Sequence, residues 1–225
     1  MTASLRVDEW IQCIDTEYLR SFLKDGGASV KFAVALDADA ARESAEKLAS
    51  AAARSDYLVA MVDAGTTRVH MIEQLFFRVA QQMRWHALAL NVTKTLAGKL
   101  AYRWPASPND GSWYEALAKQ NGTDQVIVRN EIRQELTRAV YYNTSLAKDF
   151  RVAMLQICQA TLAGGDEGKT TVDRLTDWLT GRNRAVSAVK SYHVFTPINR
   201  SNARHHLESL CRWVRFAGHT GLTGC

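Results

Sequence analysis

The chain has 225 residues and a mass of 25.1 kDa, which is enough for one well-cored domain or for one domain with a small appendage. Hydrophobic residues make up 47% of it and charged residues 23%, so the composition excludes a disordered chain, and the lack of a long apolar run excludes a membrane-spanning segment. The net charge of +5 is uneven, because residues 181–225 carry seven arginine and lysine residues against the single carboxylate of Glu208.

A small parallel sheet is predicted in the first 62 residues. Apolar residues at four-residue spacing predict a helix over residues 8–24, and residues 30–36 form the first predicted strand. Asp37 or Asp39 is expected to cap an alanine-rich helix that ends near Arg54, and residues 57–62 form the second strand. A strand, a helix and a strand within about 35 residues have the size of a parallel βαβ unit.

Helices are predicted from residue 67 almost to the end of the chain. Apolar periodicity places them over residues 67–84, 85–102, 112–121, around 132–140, 146–162, around 172–179 and from 201 onward. Ser112 is expected to begin a capping box, and Asp63 is expected to cap the helix over 67–84 rather than to bind Mg²⁺. The predicted fold is therefore α/β and predominantly helical, with a small parallel βαβ unit near the N-terminus followed by a helical bundle. The predicted domains are residues 1–104 and 105–225.

Residues 163–170 read Ala-Gly-Gly-Asp-Glu-Gly-Lys-Thr and match the phosphate-loop pattern that ends in Gly-Lys-[Ser/Thr], with alanine in place of the first glycine. In a working phosphate loop, backbone N–H groups surround the phosphates, the lysine neutralises charge and the hydroxyl binds Mg²⁺, so Lys169 and Thr170 are the candidate nucleotide-binding residues. The motif needs a buried strand before it, but residues 146–162 have the period of a helix. We therefore interpret 163–170 as a turn between two helices that matches the motif by chance.

The predicted βαβ unit has the layout in which nucleotide folds bind phosphate at a helix N-terminus. Its loop, residues 36–40, has no glycine to let the backbone approach phosphate and no lysine, and Asp37 and Asp39 would repel an anion. The sequence therefore predicts the topology of a nucleotide fold without its phosphate-binding chemistry.

Arginines concentrate on the last predicted helix and on the segment before it. The arginines of the last helix fall near one side of it and form a basic stripe. A stripe of this kind can bind DNA phosphates without contacting the bases. The candidate nucleic-acid or partner-binding residues are Arg182, Arg184, Arg200, Arg204, Arg212 and Arg215. Trp213, beside the stripe, is expected to anchor the helix in the core rather than to stack on a base.

A second charged helix face carries two glutamates one turn apart. Glu131 and Glu135 are surrounded in sequence by Arg129, Arg133 and Arg138. This pattern is typical of a salt-bridged helix face.

Four strings along the chain resemble the ATP-binding proteins of BREX-type bacterial anti-phage systems. They are residues 26–32, 71–77, 150–155 and 202–205, the last followed by Trp213. The resemblance implies a relative of AAA-type or RecA-like P-loop ATPases that acts beside DNA-modifying and other defence components. The chain departs from that family at residues 37–39, where the phosphate loop would lie, and it stops before the strand that would bear the catalytic acid. A degenerate or truncated relative is therefore expected.

We expect a non-hydrolysing regulatory or docking module, more a binding subunit than an enzyme, whose partners are other defence-system proteins and DNA. One alternative is an ATP-binding subunit that uses Lys169 and Thr170 with Mg²⁺ and is completed by a partner. Another is a purely helical interaction module whose two apparent strands are buried helix. An oligomer is compatible with each hypothesis. Four widely spaced cysteines without a Cys-x-x-Cys pair are typical of a reducing compartment, so a cytoplasmic location is expected.

Overall fold

A computed structural model describes residues 6–25, 27, 34–35, 37–109 and 111–224. Contacts within the chain define two compact units. One contains the residues up to Val62 together with those from His219 onward, and the other runs from Asp63 to Gly218. The structure thus groups residues differently from the predicted boundary at 104, because the helices before and after that position belong to the same unit.

In its described residues, the smaller unit combines helices with a two-stranded sheet. Its elements are α1 (Val7–Cys13), a π-helical continuation (Ile14–Phe22), α2 (Ala38–Arg54), β1 (Tyr57–Ala60) and β2 (Gly221–Gly224). The helix predicted over residues 8–24 is confirmed, but its wider turns change which side chains face inward. Leu19 is buried, whereas Phe22 is 49% exposed although it lies two four-residue steps after the buried Ile14.

The core of the smaller unit is small, and a buried tyrosine hydroxyl forms a hydrogen bond within it. It consists of Ile11, Ile14, Leu19, Ala51, Ala52 and Tyr57. The Tyr57 hydroxyl donates to the carbonyl of Leu19 across 2.9 Å. Asp37 caps α2 by accepting from the Ala40 N–H at 2.8 Å, which confirms one of the two predicted caps. The Asp37 carboxylate therefore satisfies a free N–H group at the N-terminus of α2.

The sheet joins segments that are far apart in sequence. β1 pairs in parallel with β2, with Tyr57 opposite Gly221 and Ala60 opposite Gly224. Most of the strand predicted over residues 30–36 lies outside the described residues, and the described Val34 and Ala35 belong to no helix or strand. The hypothesis that both apparent strands are helix is wrong for residues 57–60.

The larger unit is a helical bundle, as predicted. Its α-helices are α3 (Ile72–Ala80), α4 (Trp85–Lys99), α5 (Trp113–Asn121), α6 (Gln125–Leu136), α7 (Lys148–Ala163), α8 (Gly165–Thr180) and α9 (Ala203–Phe216). A π-helical segment (Thr137–Tyr141) and two 3₁₀ turns (Val186–Ala188 and Lys190–Tyr192) connect some of them. No helix within the described ranges is both long enough and apolar enough to cross a membrane.

α7 is the central helix of this unit. It packs against α4, α5, α6 and α8, and its buried side chains occupy nearly the whole circumference. A helix that is apolar all round is typical of a bundle centre. Asp149 is the exception in its first turn: this buried carboxylate accepts the backbone N–H groups of Phe195 at 3.1 Å and Thr196 at 2.7 Å, so its charge is hydrogen-bonded.

α3 begins five residues later than predicted, because the chain turns at residues 63–66 and again at 68–71, where the Met71 N–H donates to the Arg68 carbonyl. The Asp63 carboxylate accepts the Gly65 N–H at 2.8 Å and the Thr66 hydroxyl at 3.0 Å. Met71, not Asp63, precedes the first helical residue of α3. The expectation that Asp63 caps this helix is therefore wrong, and its side chain stabilises the local turn instead.

Candidate functional site

The phosphate-loop match lies mostly inside a helix. α7 ends at Ala163 and α8 begins at Gly165, which confirms the interpretation as a junction between two helices, although the turn is shorter than predicted. Lys169 and Thr170 are exposed in the second turn of α8, and the Thr170 hydroxyl donates to the Asp166 carbonyl at 2.8 Å. A phosphate loop needs backbone N–H groups that converge on the ligand, whereas those of a helix interior bond to the preceding turn.

Packing accounts for two glycines of the motif. Gly164 has φ +67°, and a Cβ built on it would lie 1.7 Å from the Gly111 carbonyl oxygen. A Cβ on Gly168 would lie 2.6 Å from the Ala160 carbonyl oxygen on α7. Both positions therefore need glycine for close backbone approach, independently of any ligand.

α9 presents a basic face to solvent. His206, Ser209, Leu210, Trp213 and Val214 are buried on one side, which confirms that Trp213 anchors the helix in the core. Arg204, Arg212 and Arg215 are exposed. At 3.6 residues per turn these three arginines fall within about 80° of arc, opposite the buried side.

Only part of the charge on this face is neutralised. The Arg204 Nε lies 3.1 Å from the Glu208 Oε1 one turn further along the helix. The Arg212 guanidinium donates to the backbone carbonyl of Ser145, so it keeps its full charge. Arg200, just before α9, and Arg215 form no ion pair within the part of the chain that the structure describes. Four arginines against one carboxylate leave this surface clearly positive.

The two remaining predicted arginines follow α8 and have other contacts. Arg182 lies 3.8 Å from the carboxylate of Asp177. Arg184 stacks over the Phe77 ring, with its guanidinium carbon 4.8 Å from the ring centroid. Among the described residues no hydrogen bond or ion pair joins either arginine to the α9 face. The structure thus brings together Arg204, Arg212 and Arg215, and it gives Arg182 and Arg184 separate partners.

The salt-bridged face predicted on α6 is only partly present. Arg138 pairs with Glu135 at 2.7 Å, and Glu131 accepts a hydrogen bond from the Tyr102 hydroxyl. Arg129 instead lies over the Tyr114 ring, 5.6 Å from its centroid. Neither Arg129 nor Arg133 forms an ion pair among the described residues. Two guanidinium groups are thus left without a carboxylate partner, which their spacing in the sequence did not indicate.

The described residues contain no group of three or more histidine, cysteine, aspartate or glutamate side chains that could hold a metal ion. Asp63, the sequence candidate for an Mg²⁺-orienting carboxylate, is bonded to its own turn.

Comparison with known proteins gives no relative: no family model matches the chain, and no curated protein or solved structure matches it. The resemblance to defence ATP-binding proteins therefore stays a prediction from the sequence. Functional proposals have to rest on the geometry of the α9 face and of the helical unit.

Proposed function

We propose that the chain is a non-hydrolysing docking module of a bacterial anti-phage defence assembly and that it binds the phosphate backbone of DNA through α9. The observation that carries the DNA part of the proposal is the exposed side of α9 with Arg204, Arg212 and Arg215, opposite its buried side, together with the exposed Arg200 just before the helix. The defence role rests on the sequence resemblance alone.

Backbone contact is the mode of binding that this face supports. The face carries guanidinium groups that can donate to phosphate oxygens in forked geometry. The aromatic side chain next to it, Trp213, is fully buried and cannot stack on a base. The proposal therefore predicts binding that is strongly salt-dependent and weakly dependent on DNA sequence.

The proposal assigns no hydrolytic chemistry to the chain. Lys169 and Thr170 sit in a helix whose Thr170 hydroxyl is already bonded to Asp166. The acidic residues 37–39 include the cap of α2. Neither position offers phosphate the converging N–H groups that a nucleotide site requires.

Fluorescence anisotropy with two unrelated DNA duplexes over a range of salt concentrations tests this proposal. The double variant Arg200→Gln/Arg215→Gln removes two charges that make no ion pair among the described residues, so the fold should be unaffected. We expect the slope of log K against log salt to become less negative by about two and the affinity at low salt to fall at least about tenfold for both duplexes.

Arg103→Gln is the matched control, because Arg103 is exposed and lies outside the α9 face. For this variant, the slope of log K against log salt should differ from that of the unaltered chain by no more than about one half. DNA binding that is absent at low salt, or that the double variant and the control alter equally, would refute the proposed contact.

A further inference from the structure

A groove in the helical unit combines positive charge with concave shape. It encloses about 430 Å³ and is lined in part by Tyr114, Arg129, Arg133, Gln159, Glu167 and Tyr192. This volume is within the range of small-molecule sites and is far larger than one inorganic anion needs. α9 and its arginines contribute nothing to the lining, so the groove is separate from the proposed DNA-binding face.

The α6 wall of the groove is cationic. Arg129 and Arg133 are one helical turn apart, and two side chains with this spacing lie on the same face. Neither makes an ion pair among the described residues, and Arg129 is held over the Tyr114 ring. Two guanidinium groups along one wall suit an anion with several oxygens.

Tyr114, whose hydroxyl is buried, also lines the groove. Tyr114 is only 3% exposed, and its hydroxyl has no hydrogen-bond partner among the described residues. Burial raises the pKa of Tyr114 to about 12, against the opposing effect of Arg133 and Arg129, so the group stays a donor at neutral pH. An unpaired buried hydroxyl is costly unless a ligand or a water molecule bonds to it.

The start of α8 also lines the groove. Gly164, Glu167 and Gly168 line the groove, and no side chain caps this helix. The N–H groups of its first turn lack partners within the helix and favour negative charge. Glu167 adds a carboxylate to this rim, so it repels an anion locally and accepts from hydroxyl groups. The groove therefore has two guanidinium groups on α6 and, at Glu167, a hydrogen-bond acceptor on α8.

We propose that this groove binds a phosphate monoester on a hydroxylated carbon body, the chemistry shared by sugar phosphates and nucleoside monophosphates. The phosphate lies against Arg129 and Arg133, and ligand hydroxyls donate to Glu167 and Gln159. The site uses neither Lys169 nor Thr170, although it adjoins the stretch that contains them.

Isothermal titration calorimetry at low salt with ribose 5-phosphate, inorganic phosphate and ribose tests the proposal. Ribose 5-phosphate should bind at least about tenfold more tightly than inorganic phosphate, and ribose should give no measurable heat. Arg129→Gln and Arg133→Gln should each weaken ribose 5-phosphate at least about tenfold, because each loses a charge-assisted hydrogen bond. Tyr114→Phe should weaken it about threefold to tenfold.

Arg174→Gln is the matched control, since Arg174 is an exposed arginine on α8 that does not line the groove. It should leave the affinity unchanged. Equal binding of ribose 5-phosphate and inorganic phosphate would reduce the groove to a non-selective anion surface and overturn the proposal. Equal losses of ribose 5-phosphate affinity in Arg133→Gln and in the control would also overturn it. So would the absence of binding of either phosphate compound with a dissociation constant of about 10 mM or below.

DNA binding separates this inference from the proposed function. Arg133→Gln should keep the DNA affinity of the unaltered chain, and Arg200→Gln/Arg215→Gln should keep its affinity for ribose 5-phosphate. A loss of both activities in either variant would contradict the assignment of two separate sites.

Discussion

His206 lies among aromatic rings in the helical unit. Its ring centroid is 5.8 Å from that of Phe76, 6.2 Å from that of Phe150 and 5.6 Å from that of Trp178. Burial lowers the pKa of His206 to about 4, an effect that nearby Asp149 only partly opposes. The native state therefore holds this imidazole neutral at pH values where an unfolded chain would protonate it.

This difference predicts a loss of stability in mild acid. Above pH 6.5 His206 is neutral in both the folded and the unfolded chain, so its full contribution to the free energy of unfolding is present. Between pH 6.5 and about 4 only the unfolded chain takes up the proton. The free energy of unfolding should fall by up to about 3 kcal/mol across this window from His206 alone. Urea unfolding at several pH values measures it.

His206→Phe should remove this part of the pH dependence, because phenylalanine does not titrate. His205→Gln is the matched control, since His205 is exposed on the neighbouring position of the same helix. A His206→Phe variant whose stability falls with acid as steeply as that of the control would disprove the assignment.

At the scale of single elements, the crossing of α7 and α8 depends on Gly168. A Cβ at this position would lie 2.6 Å from a backbone oxygen of α7, which cannot rotate away. Gly168→Ala should therefore lower the free energy of unfolding by about 1–3 kcal/mol, despite the better helix propensity of alanine.

Gly98→Ala is the control for that substitution. Gly98 lies near the end of α4, and a Cβ there would meet no atom within 4 Å. This change should be neutral or stabilising by up to about 1 kcal/mol. Chemical unfolding of the two variants compares them directly, and equal stability would rule out a close crossing at Gly168.

The helices of the larger unit were predictable because their apolar residues repeat at the helical period. α7 is the clearest case, and Ser112 begins α5 as its capping pattern indicated. The start of α8 was not predictable, since Gly-Gly-Asp-Glu-Gly has low helix propensity and becomes helical only where it packs on α7. Nor did Gly-Leu-Thr-Gly indicate β2, whose strand character depends on pairing with β1.

The candidate sites differ in the same way. The α9 arginines could be assigned from the sequence, because one helix fixes their relative positions. The groove could not, since Tyr114, Arg133 and Glu167 come from three helices and meet only after packing. The sequence predicted salt bridges for Arg129 and Arg133 of the groove. Spacing along a helix shows which side chains are neighbours, but it does not show which of them form contacts.

At the scale of the whole molecule, the smaller unit needs both β1 and β2. A chain lacking residues 219–225 should lose hydrogen-exchange protection at Tyr57–Ala60, while α7 of the larger unit keeps its protection, because the two units have separate cores. Exchange followed by mass spectrometry resolves the two regions.

The point variant Gly221→Val should have a milder effect in the same place. A Cβ on Gly221 would lie 3.0 Å from the Tyr57 ring, so the pairing should weaken without loss of any residue. Equal protection of Tyr57–Ala60 in all three chains would show that β2 contributes nothing to the unit.

The pairing of Tyr57–Ala60 with Gly221–Gly224 also sets an order of assembly. The ribosome makes the second strand only after all of residues 63–218, so the helical unit can fold while the N-terminal unit still lacks a strand. Domains commonly fold from the N-terminus during synthesis, whereas the pairing of β1 with β2 leads us to expect the reverse order here. During translation α1, α2 and β1 remain incompletely packed for the time needed to make some 160 residues, roughly ten to thirty seconds at ordinary elongation rates. The N-terminal unit should therefore complete its packing last, although its residues are made first.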